Sequence, residues 1–369
     1  MNVERKYIDF EAYERVAEPH KRERASAWRT AIGLQDVDGL RVSEYLKETA
    51  VKHIEGDITI EEAKELIESY YKSDDNRKSV ENDRTEEADK VSARITEILA
   101  EKTFSFTPAQ LTSIHRRLFD GIYKLAGRIR DYNITKNEWV LGGKTVYYAS
   151  ADTISDTLDY DMGQEREFKY EGVNVDDAIR HLTRFCANLW QIHPFCEGNT
   201  RTTAVFMIKY LRTLGFNVLD VFAENSWYFR NALVRANFRD LPKGITETTI
   251  YLERFFRSML LGEQHDLRNR IMHVDWGKVE GSTVQSAKSE LQSAITSEEL
   301  PLKCKNCTLE EAAVLRIVQK NPTVTQKEIA AEIGKSERTV KTITVNLQEK
   351  GILQRVNGKR NGRWEITDE

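Results

Sequence analysis

The most reactive combination of side chains in this sequence lies in nine consecutive residues, His193-Pro194-Phe195-Cys196-Glu197-Gly198-Asn199-Thr200-Arg201. A histidine, whose free imidazole titrates near about 6.5, can take a proton from an attacking hydroxyl. The Glu197 carboxylate can hold a Mg²⁺ ion that bridges phosphate oxygens. Gly198-Asn199 permits backbone that a bulky residue could not adopt, and the free N–H groups of a following helix start make an anion site. Arg201 adds a planar fork of donors suited to phosphate oxygens. A base, a metal carboxylate and an anion nest on one loop point to transfer of a phosphorus-containing group to a hydroxyl. Taken singly, a histidine near a helix end is usually structural and an arginine in a first turn is usually a surface charge. No packing requirement calls for all of them at this spacing.

Two apolar helices must hold that loop. Upstream, DDAIRHLTRFCANLWQI places Ile179, Leu182, Phe185, Leu189 and Ile192 on one face, and Pro194 helps to end it. Downstream, RTTAVFMIKYLRTLGF carries the loop into a second core helix, so the helical reading covers 175–192 and 201–214. Further helical patterns lie at 107–123, 226–237 and 246–261. One β signal interrupts them: Trp139-Val140-Leu141, two glycines, then Thr145-Val146-Tyr147-Tyr148, the pattern of a tight hairpin. The first 100 residues are charged and helical, with a hairpin of helices at 43–54 and 61–71 in which Thr59 and Glu62 form a capping box. Residues 72–90 are nearly all polar and read as a linker or a solvated helix start. From Thr308 the order is helix, helix, glycine turn, helix and basic hairpin, which is that of a winged helix-turn-helix.

Composition bounds the remaining possibilities. With 40% hydrophobic and 31% charged residues, the 369-residue chain can bury a sizeable core, and a fibrous or wholly disordered protein is excluded. The net charge of −4 argues against the chain as a whole being a polyelectrolyte binder. Four cysteines cannot build a disulfide scaffold, which favours a reducing compartment, and the cytoplasm is the expected location. Cys304-x-x-Cys307 lacks a second pair and is expected to be two free thiols. No apolar run approaches the roughly 18 residues of a membrane span, and no signal peptide is evident.

The nine-residue loop resembles the signature of the Fic (filamentation induced by cAMP) family, H-P-F-x-[D/E]-G-N-G-R-x-x-R, at His193, Pro194, Phe195, Glu197, Gly198, Asn199 and Arg201. Similar family segments recur at 114–130 (IHRRLFDGIYKLAGRIR) and 227–238 (WYFRNALVRANF), so the resemblance spans about residues 90–260. It implies transfer of AMP from ATP to a protein hydroxyl, with His193 as base and Glu197 binding Mg²⁺. Gly198, Asn199, Thr200 and Arg201 would hold the phosphates, with Tyr228 and Asn231 on the side of the base. The hairpin, centred on Leu141, Gly142, Gly143, Lys144 and Thr145, would dock a target segment by strand addition. Two positions depart from the family pattern: Thr200 replaces the usual Gly, and Ala204 replaces the final Arg, which in the family contacts the γ-phosphate and pairs with an inhibitory Glu.

Residues 24–70 resemble the small antitoxins that restrain Fic toxins through [S/T]-x-x-x-E-[G/N]. Here Asp38-Gly39 occupies the acid position, with Leu34 where Ser or Thr is usual; Glu81-Asn82 is a second candidate acid. With Ala204 in place of the partner arginine, the module is expected to obstruct sterically more than to form an ion pair; the bland alternative is a packing module only. Between 321 and 363, nine Lys/Arg (327, 335, 338, 341, 350, 355, 359, 360, 363) face four Glu, a local basic patch suited to duplex DNA, although winged helices also serve as protein-docking modules.

The expected fold is therefore mainly α: a Fic-type helical core with a small β-hairpin flap, and a C-terminal winged helix-turn-helix. The expected divisions are 1–89 (antitoxin-like), 90–262 (catalytic), 263–307 (linker) and 308–369 (winged helix). The leading functional expectation is a Mg²⁺- and ATP-dependent protein adenylyltransferase of the toxin–antitoxin type, acting on a target protein or on itself. A DNA-binding regulator with a nucleotide-sensing core, a de-AMPylase and another phosphotransferase stay open, as does a homodimer. No membrane partner is expected.

Overall fold

The computed structural model describes residues 18–72, 80–216, 218–276, 307–357 and 362–367. The fold is mainly helical and divides into two compact units, which the chain enters more than once.

The first unit comprises residues up to 131 together with 194–206 and 219–230. Its helices are α1 (Pro19–Gly33), α2 (Glu44–Glu55), α3 (Ile60–Lys72), α4 (Val80–Ala100) and α5 (Pro108–Phe119). Trp28 of α1, Leu46, Ala50 and Ile54 of α2, and Ala63 and Ile67 of α3 form one buried apolar cluster that also takes in Ala93 of α4. The α2–α3 hairpin is thus packed as the apolar spacing requires. Thr59 and Glu62 exchange the two hydrogen bonds of the capping box. Asp89, buried on α4, accepts hydrogen bonds from the Ser43 backbone N–H (2.9 Å) and the Tyr71 hydroxyl (2.7 Å), tying three helices together. Helix α4 begins at Val80 within the polar stretch and runs on across the division expected at residue 89.

The N-terminal helix meets α9 (Leu219–Ala236) at very close range. A Cβ at Gly33 would collide with the Ala223 backbone, and the Ser226 hydroxyl donates to the Gly33 carbonyl at 2.6 Å. Only glycine allows that approach. An Arg29–Glu224 ion pair joins the same two helices.

The second unit holds α6 (Ile154–Glu167), α7 (Val175–Ile192), the C-terminal half of α8 (Asn199–Thr213), the end of α9, α10 (Ile250–Leu261) and the C-terminal helices. Glu165, buried at the end of α6, accepts from Tyr170 and Tyr210 hydroxyls at 2.5 Å each and lies 2.7 Å from His181 Nε2. Three partners satisfy a carboxylate that burial would otherwise penalise.

The C-terminal module consists of α11 (Leu309–Lys320), α12 (Gln326–Ile333), α13 (Glu337–Glu349), β1 (Leu353–Val356) and β2 (Arg363–Ile366), with Leu353 opposite Ile366 in an antiparallel pair. Thr308/Glu311 and Thr325/Glu328 close capping boxes at the first two helix starts. The module is fastened to its unit: Val175 N–H donates to the Cys307 carbonyl at 2.8 Å, and Arg316 donates to the Met259 carbonyl.

Two expectations are corrected. The 139–148 segment is not a β-hairpin: Trp139–Leu141 is a single 3₁₀ turn. In a strand successive side chains alternate sides, whereas Val140 and Leu141 are both buried; the 3₁₀ turn puts both inward and leaves Trp139 half exposed. Gly142 and Gly143, at φ +62° and +85°, then reverse the chain, and Glu138 N–H donates to the Lys144 carbonyl at 2.9 Å across the turn. Cys307 is disulfide-bonded rather than a free thiol; Cys304 lies outside the described residues.

Candidate active site

Helix α7 ends at His193, whose φ of 50° is left-handed and breaks the helix before Pro194. His193 is 3% exposed, with Nδ1 3.3 Å from the Trp190 carbonyl. Tyr148 lies against it with ring centroids 4.2 Å apart, and the Trp190 ring meets it edge-on at 5.2 Å.

The rest of the loop is built by its own side chains and by α5. Asn199 turns its amide back onto the loop: its Oδ1 accepts from Phe195 N–H at 2.9 Å and its Nδ2 donates to the Phe195 carbonyl at 2.7 Å. This residue therefore shapes the loop. His115 braces the other side, stacked on Phe195 with centroids 3.7 Å apart. Its Nδ1 accepts from Gly127 N–H at 2.8 Å, leaving Nε2–H to donate to the Glu197 carbonyl at 3.0 Å. Burial lowers the His115 pKa to about 4, which keeps the ring neutral, and the Gly127 N–H at Nδ1 sets the tautomer. Gly198, at φ +71°, is required twice over, because a Cβ there would run into the Phe119 ring.

Glu197 itself is exposed. Among the described residues no three His, Cys, Asp or Glu side chains cluster as a metal cage. One exposed carboxylate fits Mg²⁺, which keeps waters and shares phosphate oxygens, rather than a metal needing an all-protein cage.

Arg201 is 1% exposed, and all three guanidinium nitrogens face polar partners, Nε through an ion pair that lacks hydrogen-bond geometry. Nε pairs with Asp38 at 2.8 Å, Nη2 pairs with Glu87 at 2.6 Å and donates to the Tyr123 hydroxyl at 3.0 Å, and Nη1 donates to Gln35 Oε1 at 3.0 Å. The Phe119 ring lies beneath at 4.8 Å. Burial alone would lower the Arg201 pKa, but Asp38, Tyr123 and Glu87 outweigh it and raise it. Asp38 ends a 3₁₀ turn, Leu34–Asp38, closed by Gly39 at φ 67°. The expectation that this acid lacks an arginine is corrected, since Asp38 pairs with Arg201 although Ala204 occupies the expected partner's place. The Glu81 and Asn82 side chains lie outside the described residues.

Thr200 is 7% exposed in the first turn of α8. Tyr228 and Asn231 are each 1% exposed on α9, and the Asn231 amide donates to Asn269 Oδ1 at 2.8 Å. In the flap segment Leu141 is buried, Lys144 pairs with Asp240, and Thr145 Oγ1 accepts from Lys136 N–H at 3.0 Å. Residues 269–276, within the linker expected at 263–307, lie on this segment: Val274 N–H donates to the Val140 carbonyl at 2.9 Å, and His273 meets the Trp139 ring.

Sequence reasoning missed Gln35, Glu87, Tyr123 and His115. Tyr123 and His115 lie within the family-like segment 114–130, which could have flagged them. Glu87 sits in a run of acids with nothing to distinguish it.

In the C-terminal module, internal partners occupy much of the basic patch. Lys335 pairs with Glu310, Lys350 with Glu311 and Arg363 with Glu365, while Arg355 covers Trp364. Lys327, Arg338 and Lys341 are exposed at the starts of α12 and α13, with no carboxylate partner among the described residues.

The chain carries a Fic/DOC domain: residues 105–211 match the Fic/DOC family, and residues 312–354 match a winged helix-turn-helix DNA-binding family. Among individual proteins, it is 24% identical over 108 residues to the protein adenylyltransferase VbhT of Bartonella schoenbuchensis. That match covers 29% of this chain and spans 21% of the relative's length. A crystal structure of a Fic family protein from Desulfovibrio desulfuricans G20 aligns over 98% of this chain and 93% of that one, with 12% identity and a TM-score of 0.43.

Proposed function

We propose that this protein is an adenylyltransferase that moves AMP from ATP to a Ser, Thr or Tyr hydroxyl of a target protein or of its own chain. The observation that carries the reading is the His193–Arg201 loop, present within the Fic/DOC domain and braced on both sides. His193 takes the hydroxyl proton; the hydroxyl oxygen forms a bond to the α-phosphorus, the bond from that phosphorus to the β-bridging oxygen breaks, and pyrophosphate leaves. Loop N–H groups and Arg201 hold phosphate oxygens. Glu197 is the residue that would hold Mg²⁺, which would neutralise phosphate charge.

The N-terminal helices restrain this activity. Asp38 and Glu87 occupy the guanidinium that phosphates need, so the nucleotide must displace a carboxylate from Arg201. This is the logic of an antitoxin fused to its toxin. ATP places the reaction in the cytoplasm, and among the described residues no helix is long and apolar enough to cross a membrane.

Incubation of the full chain with α-labelled ATP tests the reading. Label should enter protein with the wild type and not with His193→Ala; equal labelling by both would overturn His193 as the base. A second reading, DNA binding by the C-terminal module, is favoured by the three exposed cations at the starts of α12 and α13.

A further inference from the structure

We propose that Tyr148 is a positioning residue for His193, clamped over the imidazole by Gln191 so that the arm following Gly143 sets the orientation of the proton acceptor. The inference rests on the adenylyltransferase reading and assigns that site a residue outside the 193–201 loop.

Gln191 grips the chain on both sides of Tyr148. Its side-chain amide donates to the Tyr147 carbonyl at 2.9 Å, and its backbone carbonyl accepts from Ala149 N–H at 3.4 Å. Tyr147 is 78% exposed, whereas the Tyr148 ring lies on His193 and edge-on to Trp190 at 5.8 Å. The far end of Tyr148 is also held, since its hydroxyl donates to Glu138 Oε1 at 3.3 Å and Glu138 is 2% exposed. The ring is thus fixed at its backbone and at its tip.

His193 needs such support. Its left-handed backbone is disfavoured for a side chain with a Cβ and persists only where the surroundings impose it. With Tyr148 against one face and Trp190 at its edge, the imidazole has little freedom to rotate about χ2. A base must hold its nitrogen toward the hydroxyl, and a displacement of about 1 Å can cost on the order of 100-fold in rate. The same arm follows the segment assigned to target docking, so pressure there reaches His193 through Tyr148.

The test uses the full chain and three variants: Tyr148→Phe, Tyr148→Leu and Gln191→Ala, with melting curves to verify folding. Tyr148→Leu should lower kcat by about 10- to 100-fold with little change in KM for ATP, and Tyr148→Phe should restore most of the rate. Independently of activity, NMR of ¹³C-histidine-labelled protein reads the His193 ring, assigned by its loss in His193→Ala. Its resonance should broaden or split, with an altered pH titration, in Tyr148→Leu and Gln191→Ala but not in Tyr148→Phe. An unchanged His193 resonance and titration in folded Tyr148→Leu would overturn the proposal. Absence of transfer by the wild type would instead refute the adenylyltransferase reading, and the NMR arm would still decide the role of Tyr148. If Tyr148→Leu fails to fold, Gln191→Ala decides by the same resonance.

Discussion

Replacing Asp38 with Asn removes one charge from the Arg201 cluster while keeping the side chain's size. At 2.8 Å and an effective dielectric of about 20, the pair attracts by about 6 kcal/mol before other terms. Asp38 is about a third exposed, so solvent screens it, and Glu87 continues to pair with the same guanidinium. A net coupling of about 1–3 kcal/mol between the Asp38 contact and nucleotide binding is therefore expected, equivalent to about 5- to 150-fold in affinity. Asp38→Asn should bind ATP more tightly by that factor and transfer label faster at subsaturating ATP. Isothermal titration with ATP and α-label transfer measure the two effects. If Asp38→Asn, alone and combined with Glu87→Gln, leaves both ATP affinity and transfer at the wild-type level, the argument that these carboxylates withhold Arg201 from phosphate is refuted.

Two further outcomes follow from the braces and the basic patch. Because the His115 pKa falls from about 6.5 unfolded to about 4 folded, protonation favours the unfolded chain; stability is full above about pH 6.5 and falls as pH drops toward 4, by at most about 3 kcal/mol. Denaturant unfolding from pH 7.5 to 4.5 should show this slope, shallower in His115→Gln, and an identical slope in that variant would exclude the assignment. For duplex DNA, each of Lys327→Ala, Arg338→Ala and Lys341→Ala should reduce the slope of log affinity against log salt by about 0.9, whereas Lys335→Ala and Lys350→Ala should change it less. Equal effects at all five positions would argue that the internal ion pairs do not select the contact surface.

Much of the site was legible because its chemistry is local. His193 to Arg201 is one loop, and the order of its residue types suggests phosphate chemistry without reference to the rest of the chain. The buried stripe of 175–192 follows from apolar spacing alone, and the capping box at Thr59 follows from a Glu three residues on. Less legible were α1 and α6, whose apolar residues are sparse, and the 139–148 segment, where β-forming residues were overruled by the need to bury Val140 and Leu141 together.

What the sequence by itself determined, then, is the family-like loop at 193–201, the helices that bear it and the helix order of the C-terminal module, because each depends on neighbours a few residues apart. Only the tertiary structure decided what those groups touch. Asp38 and Glu87 reach Arg201 from distant positions in the chain, and the basic residues of the C-terminal module divide into paired and exposed sets. Electrostatic pairing acts through space at a few ångströms, so residue order does not reveal it until the chain has folded.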